Sequence, residues 1–227
     1  MAQGRRPDRN GDIPPPGRFS DVRWFAEVDS TNRLAADLVR EGAEDGLVVG
    51  ADHQTAGRGR RGRTWESRAG SSLLVSVVLR PVPPLVTLAA GVAAAEACEA
   101  VAGVPVALKW PNDVMAGDRK LGGILSEMVG DAAVVGLGLN LGWAPMGGAR
   151  LGQAVDREAI LAAWLTALDA RGDVLARYRT RCSTLGRRVR IELPGDPLEG
   201  FAEDVDEEGR LVVDGRAFSA GDVVHLR

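Results

Sequence analysis

Lysine is nearly absent from this sequence of 227 residues. Of its 28 basic residues only Lys109 and Lys120 are lysine, and the rest are arginine. A composition that has turned almost every surface cation into arginine leaves lysine where a compact ammonium on a flexible stem does something a planar guanidinium fork cannot. Cysteine is scarce too. Cys98 and Cys182 stand far apart without a Cys-x-x-Cys pair or a histidine at ligand spacing, which speaks against a disulfide framework or a zinc site and for two reduced, partly buried thiols. No apolar run reaches the ~18 residues of a membrane-spanning helix, and the longest, around "LAAGVAAAEACEAVAG", is interrupted by Glu96 and Glu99. The opening "MAQGRRPDRNGDIPPPGR" lacks the apolar stretch of a signal peptide, so a cytoplasmic location is expected. A global positive field is also missing: the net charge is -3, which argues against a general nucleic-acid binder.

What is present supports a folded chain. With 45% hydrophobic and 26% charged residues, it can bury one core of ordinary size and a small second one. Residues 1–18, rich in Gly, Pro and Arg, read as a disordered tail. "DVRWFAEV" reads as a strand, "DSTNRLAADLVREG" as a helix opened by Ser30 or Thr31 and closed by Gly42, and "GLVVGADHQ" and "SSLLVSVVLRP" as buried strands. "PPLVTLAAGVAAAEACEAVAG" is a long helix with proline at its start and glycine at its end. "VPVALKWPND" is a short strand entering a turn, and "RKLGGILSEMVG" pairs with "AAVVGLGLNLG" as a hairpin through Gly130 and Asp131. A helix is expected over 156–181, with Ile160, Leu161, Trp164, Leu165 and Leu168 on one face. From Gly186 onward, short alternating strands predict a small β-barrel with a minor core of its own.

Two segments carry chemistry. "GRGRRGR", Gly57 to Arg63, holds four arginines and three glycines directly after a buried strand. Glycine frees the backbone to fold over a ligand, and guanidinium forks grip phosphate or carboxylate oxygens. The spacing is not that of the GxxxxGK[ST] phosphate loop, and an idle surface turn or an RNA contact stays open on these residues alone. "LKWPNDVMAGDRKLGGIL" sets Asn112 and Asp113 on a proline turn, with Lys120 at the start of the next strand. A carboxylate, an ammonium and nearby arginines suit a nucleotide with a divalent cation. Trp110 reads as core, and Gly122, Gly123, Gly136 and Gly138 put positions without side chains into two adjacent strands, where a ligand or backbone must approach closely.

Taken in order, "DSTN" (Asp29 to Asn32), "QTAGRGRRGRTW" (Gln54 to Trp65), "KWPND" (Lys109 to Asp113), "RKLGGIL" (Arg119 to Leu125) and "VGLGLN" (Val135 to Asn140) resemble the biotin protein ligases. The likeness runs from about residue 20 to the C-terminus. It implies an α+β fold: a mixed β-sheet catalytic domain flanked by helices (class II synthetase-like, biotin-lipoyl ligase fold) over 19–182, then a small C-terminal SH3-like β-barrel over 183–227. It implies biotin and ATP as substrates with Mg2+, adenylation of biotin, and transfer to a lysine on the biotin carboxyl carrier domain of a carboxylase. The larger members carry an N-terminal DNA-binding domain, for which the residues before Asp29 leave no room, so DNA binding is not expected.

Residue by residue, the resemblance gives Ser30, Thr31, Asn32 and Gln54 to biotin and its ureido ring, with Gly57, Arg58 and Arg60 closing over it. Arg63 and Trp65 fall on the phosphate and adenine side, and Lys109, Asn112, Asp113 and Asn140 on the nucleotide and its metal. Lys120 falls between the biotin carboxylate and the α-phosphate, and Gly123, Gly136 and Gly138 form the pocket floor. The implied catalytic residues are Lys120, Asp113 and Arg58, with Asp113 also the metal candidate through the phosphates. Arg61 and residues 141–152 receive no role. A lipoate ligase or octanoyl transferase of related fold is the rival enzyme; a nucleic-acid-binding module using the arginine-glycine loop is the rival of another class.

Overall fold

The computed structural model of the chain describes residues 17–193 and 196–226. Most of the expected N-terminal tail lies outside the described residues, but Arg18, assigned to it, is anchored. Its guanidinium donates to both oxygens of Asp45 at 2.7 Å and to Asp169 at 3.2 Å.

Seven strands form the main sheet: β1 (Val22–Val28), β2 (Val48–Gln54), β3 (Ser72–Leu79), β4 (Ala107–Lys109), β5 (Asp113–Ala116), β6 (Arg119–Val129) and β7 (Ala132–Asn140), in the order β1-β2-β3-β7-β6-β5-β4. β1 and β2 pair in parallel, with the helix α1 (Thr31–Arg40) as the crossover that a parallel pair requires. The other ladders are antiparallel. The β6–β7 hairpin turns at Gly130 and Asp131 as its sequence predicts, while β5, read as turn and loop, is an additional strand.

Side chains alternate across each strand, and this sorts the sheet into two faces. Leu73, Val75, Val77 and Leu79 of β3, with Ala133, Val135, Leu137 and Leu139 of β7, pack with α2 (Val86–Ala102) into the larger core. Burying each such Val or Leu contributes about 1.5–3 kcal/mol. α2 is dense in alanine, so α3 (Arg157–Asp169) approaches closely enough for the Trp164 indole N–H to donate to Ala90 O at 3.1 Å. On the opposite face, Val49, Val78, Ala132 and Val134 pack under α1. Further along that face the same alternation presents Ser76, Ser72, Gly136, Gly138 and Asn140. Apart from Leu74, large apolar side chains give way to small and polar ones along this stretch.

The single helix expected over 156–181 is two helices, α3 and α4 (Val174–Arg181). Gly172 weakens the continuation, and Asp173 restarts the helix by accepting from Ala176 N at 2.9 Å. Of the predicted face, Ile160, Trp164 and Leu165 are buried, while Leu161 and Leu168 are partly buried against the core.

Five further strands follow: β8 (Arg187–Glu192), β9 (Leu198–Val205), β10 (Leu211–Val213), β11 (Arg216–Phe218) and β12 (Asp222–His225). They form an antiparallel sheet in the order β11-β10-β9-β8-β12, open at β11 and β12 rather than closed into the expected barrel. Its inward residues, including Val189, Ile191, Leu211 and Val213, do not make a separate minor core; they join the larger core of the main sheet. The joint is specific: Ser183 N donates to Leu108 O at 2.7 Å, Trp110 N to Thr184 Oγ1 at 3.1 Å, and the Trp110 indole N–H to Gly209 O at 3.0 Å. Trp110 is thus the core residue its sequence context predicts, buried between the two sheets.

Candidate active site

A cleft opens on the α1 face where the glycines replace apolar side chains. Its floor is Gly136 and Gly138 of β7 and Gly123 of β6, and its cover is the loop 55–65 that follows β2. Two of these glycines are required by close approach. A Cβ on Gly136 would lie 2.1 Å from Asn32 Oδ1, and one on Gly138 would lie 2.7 Å from the Trp65 ring. Trp65 therefore packs closely on β7 at Gly138, held there as Trp65 N donates to Gly57 O at 2.9 Å.

One end of the cleft is a chain of hydrogen bonds. Gln54 Oε1 accepts from Thr31 N at 2.8 Å and from Thr31 Oγ1 at 3.0 Å. Ser76 Oγ bridges Thr31 Oγ1 at 2.8 Å and Asn32 Oδ1 at 2.6 Å. Asn32 Nδ2 donates to Leu125 O at 3.1 Å and to Glu127 Oε2 at 3.0 Å. The Glu127 carboxylate in turn holds Arg58, which approaches its two oxygens at 2.8 and 3.1 Å. This end of the cleft is thus tied to the covering loop through Glu127, a half-buried residue of β6. Ser30 stands at the N-cap of α1 but makes no side-chain capping bond.

At the other end, Asp113 of β5 faces Gly123 of β6 in register. The missing side chain leaves room for Lys120 to fold back over the strand, with its ammonium 2.6 Å from Asp113 Oδ1 and 5.9 Å from the centre of the Trp65 ring. Asn112 fixes the turn by donating to Ile124 O at 2.8 Å and accepting from Arg60 at 3.1 Å. Burial pulls the Arg60 guanidinium below the usual arginine value, against the opposing pull of Asp222 and Asp113. Lys109 also lines the cleft.

Of the residues proposed from sequence, two do not line the cleft. Gly57 sits behind it, where a Cβ would meet Trp65 O at 2.5 Å and Gln54 Nε2 at 3.1 Å. Asn140 is buried beyond Gly138 on the same face of β7 and donates to Ala149 O at 3.0 Å, while its Oδ1 has no partner. The Trp65 indole N–H is likewise buried and unpartnered. A buried donor and a buried acceptor left unmade cost about 1–3 kcal/mol each. The loop arginines diverge: Arg58 goes to Glu127, Arg60 to Asn112, and Arg61 and Arg63 both to Asp222 of β12.

Sequence reasoning missed Ser76, Glu127 and Asp222. Ser76 carried a signal, a lone hydroxyl in the apolar run "LLVSVVL". Glu127 carried a weaker one, an acid within a strand, and Asp222 none, since it reaches the loop from 159 positions away.

The sequence matches the Biotin/lipoate A/B protein ligase family over residues 24–142 and the Biotin protein ligase C terminal domain over 184–226. It is 42% identical to the biotin–acetyl-CoA-carboxylase ligase of Mycobacterium tuberculosis, across 93% of this chain and 92% of that protein. It is 33% identical to the enzyme of the same name from Paracoccus denitrificans, across 85% of this chain and 94% of that one. Among solved structures, the biotin protein ligase from Aquifex aeolicus in complex with biotin and ATP superposes with a TM-score of 0.79, at 26% identity, covering 92% of this chain and all of that one. Cleft, ordered motifs and relatives agree, and the chain belongs to the Biotin/lipoate A/B protein ligase family.

Proposed function

We propose that this cleft performs biotin protein ligation with the residues that line it. Biotin and ATP are the substrates and the enzyme is a ligase; the observation that carries the assignment of roles is the Lys120 ammonium held against Asp113 beneath the arginine loop. In the first step a biotin carboxylate oxygen attacks the α-phosphorus of ATP, and pyrophosphate leaves. Two anions must meet, and Lys120, between them, offsets their repulsion and the charge that builds up in the transition state. Thr31 and Gln54 offer the donor and acceptor that a ureido ring needs, with Ser30 beside them and Ser76 and Asn32 buttressing from behind. Arg58 and Arg60 close the loop over the acyl-adenylate and exclude water.

The nucleotide lies over β7, its base against Trp65 and its unpartnered indole N–H, with Asn140 supporting β7 from beyond Gly138. Arg63 and Lys109 take its phosphates. Among the described residues no three His, Cys, Asp or Glu side chains cluster as a metal cage, which fits Mg2+ entering on the phosphates with at most the Asp113 carboxylate from the protein, where it would neutralise phosphate charge.

In the second step a lysine ε-amine of the acceptor attacks the acyl carbonyl, the C–O bond to phosphate breaks, and AMP leaves; Asp113 orients that amine. The acceptor is the biotin carboxyl carrier domain of a carboxylase and the location cytoplasmic. Residues 19–182 serve as the catalytic unit, with the C-terminal sheet completing its rim at Asp222. Incubation with MgATP, biotin and a carrier domain, read by mass, should add one biotinyl group to the carrier. Adenylate formation without carrier labelling would rule out the proposed acceptor. A melting-temperature rise with lipoate and none with biotin would favour the lipoate branch of the family instead.

A further inference from the structure

Arg61, left without a role by its sequence, occupies the left-handed region at φ 56°, ψ 35° in the turn Arg60–Gly62. A residue with a side chain persists there only where its surroundings hold it. Here the C-terminal sheet does so: Arg61 Nη1 donates to Glu192 O at 3.1 Å and to Asp222 Oδ2 at 3.2 Å, and Arg63 Nη2 donates to that same Asp222 oxygen. Glu192 and Asp222 face each other in the β8–β12 ladder, so the turn of the loop is clasped at one rung of a different sheet. The two arginines are unequally committed. Among the described residues Arg61 has two acceptors, whereas the Arg63 guanidinium has only the shared oxygen and is 63% exposed.

We propose that Asp222 is a positioning residue that stands in for phosphate: it gathers Arg61 and Arg63 while the site is empty, and ATP takes Arg63 from it. A polyphosphate offers more charge and more oxygens than half of one carboxylate, so the exchange favours the nucleotide. Arg61 keeps Glu192 O and remains the anchor about which the loop turns. Once pyrophosphate has left, Arg63 returns to Asp222 and the loop closes over the adenylate. This rests on the ligase reading above and adds to it a working role for the C-terminal sheet.

The exchange has a signature that plain structural damage lacks. Asp222→Asn removes a competitor for Arg63 and a clasp for the loop together. It should lower the KM for ATP in biotin-dependent pyrophosphate release and raise the dissociation rate of biotinyl-adenylate, each by about threefold to fivefold, the range of a single exposed ion pair. Asp222→Glu should restore both. In ligand-free protein, trypsin should cut after Arg61 or Arg63 faster in Asp222→Asn than in the parent, and inorganic tripolyphosphate should speed cutting of the parent. Cleavage rates equal in parent and Asp222→Asn would overturn the clasp; a KM for ATP that rises with the dissociation rate would overturn the exchange. If the parent releases no pyrophosphate with biotin and ATP, the ligase reading and the exchange fall together, and the ligand-free cleavage rates alone decide the clasp.

Discussion

Gly136→Ala tests the architecture of the recognition end more directly than any change to a charged residue. The added methyl would sit 2.1 Å from Asn32 Oδ1 and 3.0 Å from Asn32 Cγ, where ordinary contacts begin near 3.4 Å. Asn32 is 4% exposed and is fixed by Ser76 Oγ, Leu125 O and Glu127 Oε2. It must retreat by more than an ångström, and its partners lose it. Each buried polar group left unpaired costs about 1–3 kcal/mol, so with two such groups the loss is roughly 2–6 kcal/mol. At about 2–4 °C per kcal/mol for a chain of this size, the melting temperature should fall by roughly 4–24 °C. Ser76 also touches Thr31, so biotin affinity should drop by at least about tenfold. Thermal melting and isothermal titration with biotin measure the two effects. Combining the change with Asn32→Ala gives the sharper check: with Asn32 truncated there is nothing left to displace, and the double variant should be no less stable than Asn32→Ala alone. Additive losses, or a Gly136→Ala protein that melts and binds biotin like the parent, would refute the close-approach explanation.

Lys120→Arg keeps the charge but replaces a point ammonium 2.6 Å from Asp113 by a wide planar fork; pyrophosphate release with biotin should fall by about a hundredfold or more, and near-normal release would remove Lys120 from the chemistry. Arg58→Ala cuts the bidentate tie between the loop and Glu127, so preformed biotinyl-adenylate should leave about fivefold faster, as read by filter retention; an unchanged rate would mean that this tie does not hold the loop shut. Burial, helped by the neighbouring Glu99 charge, pushes the Cys98 thiol up to about 12, and burial raises Cys182 as well. Both should resist a disulfide reagent at pH 8 until denaturant is added, and fast labelling of the native protein would contradict their placement in the core.

The fold was legible wherever local pattern and burial agree. β3, β7 and the first half of β2 are largely apolar because sheet strands covered on both faces need few polar positions, and α2 ends at Gly103 in the left-handed region, as a glycine after an alanine-rich helix suggests. The break between α3 and α4 was hidden by apolar residues that continue the helical period across Gly172. The expected barrel was wrong in its closure and in its separate core, because alternation fixes which residues of a strand face inward but not which edges meet or what they pack against.

By itself, the sequence determined which residue types come together: two lysines among many arginines, a Pro-Asn-Asp turn, and glycines in two paired strands. These follow from residue type and short spacing, which the chain carries before it folds. Only the tertiary structure decided which partner each charge has. Glu127 binds Arg58 across 69 positions and Asp222 binds Arg63 across 159, and no local rule encodes contacts at such separations. Their partners are set by how β6 and the C-terminal sheet pack around the loop, because an ion pair exists only where packing brings two side chains within a few ångströms. Arg61 shows the division most plainly: its sequence gave no reason for it, and its conformation and both of its acceptors come from a sheet that begins more than a hundred residues later.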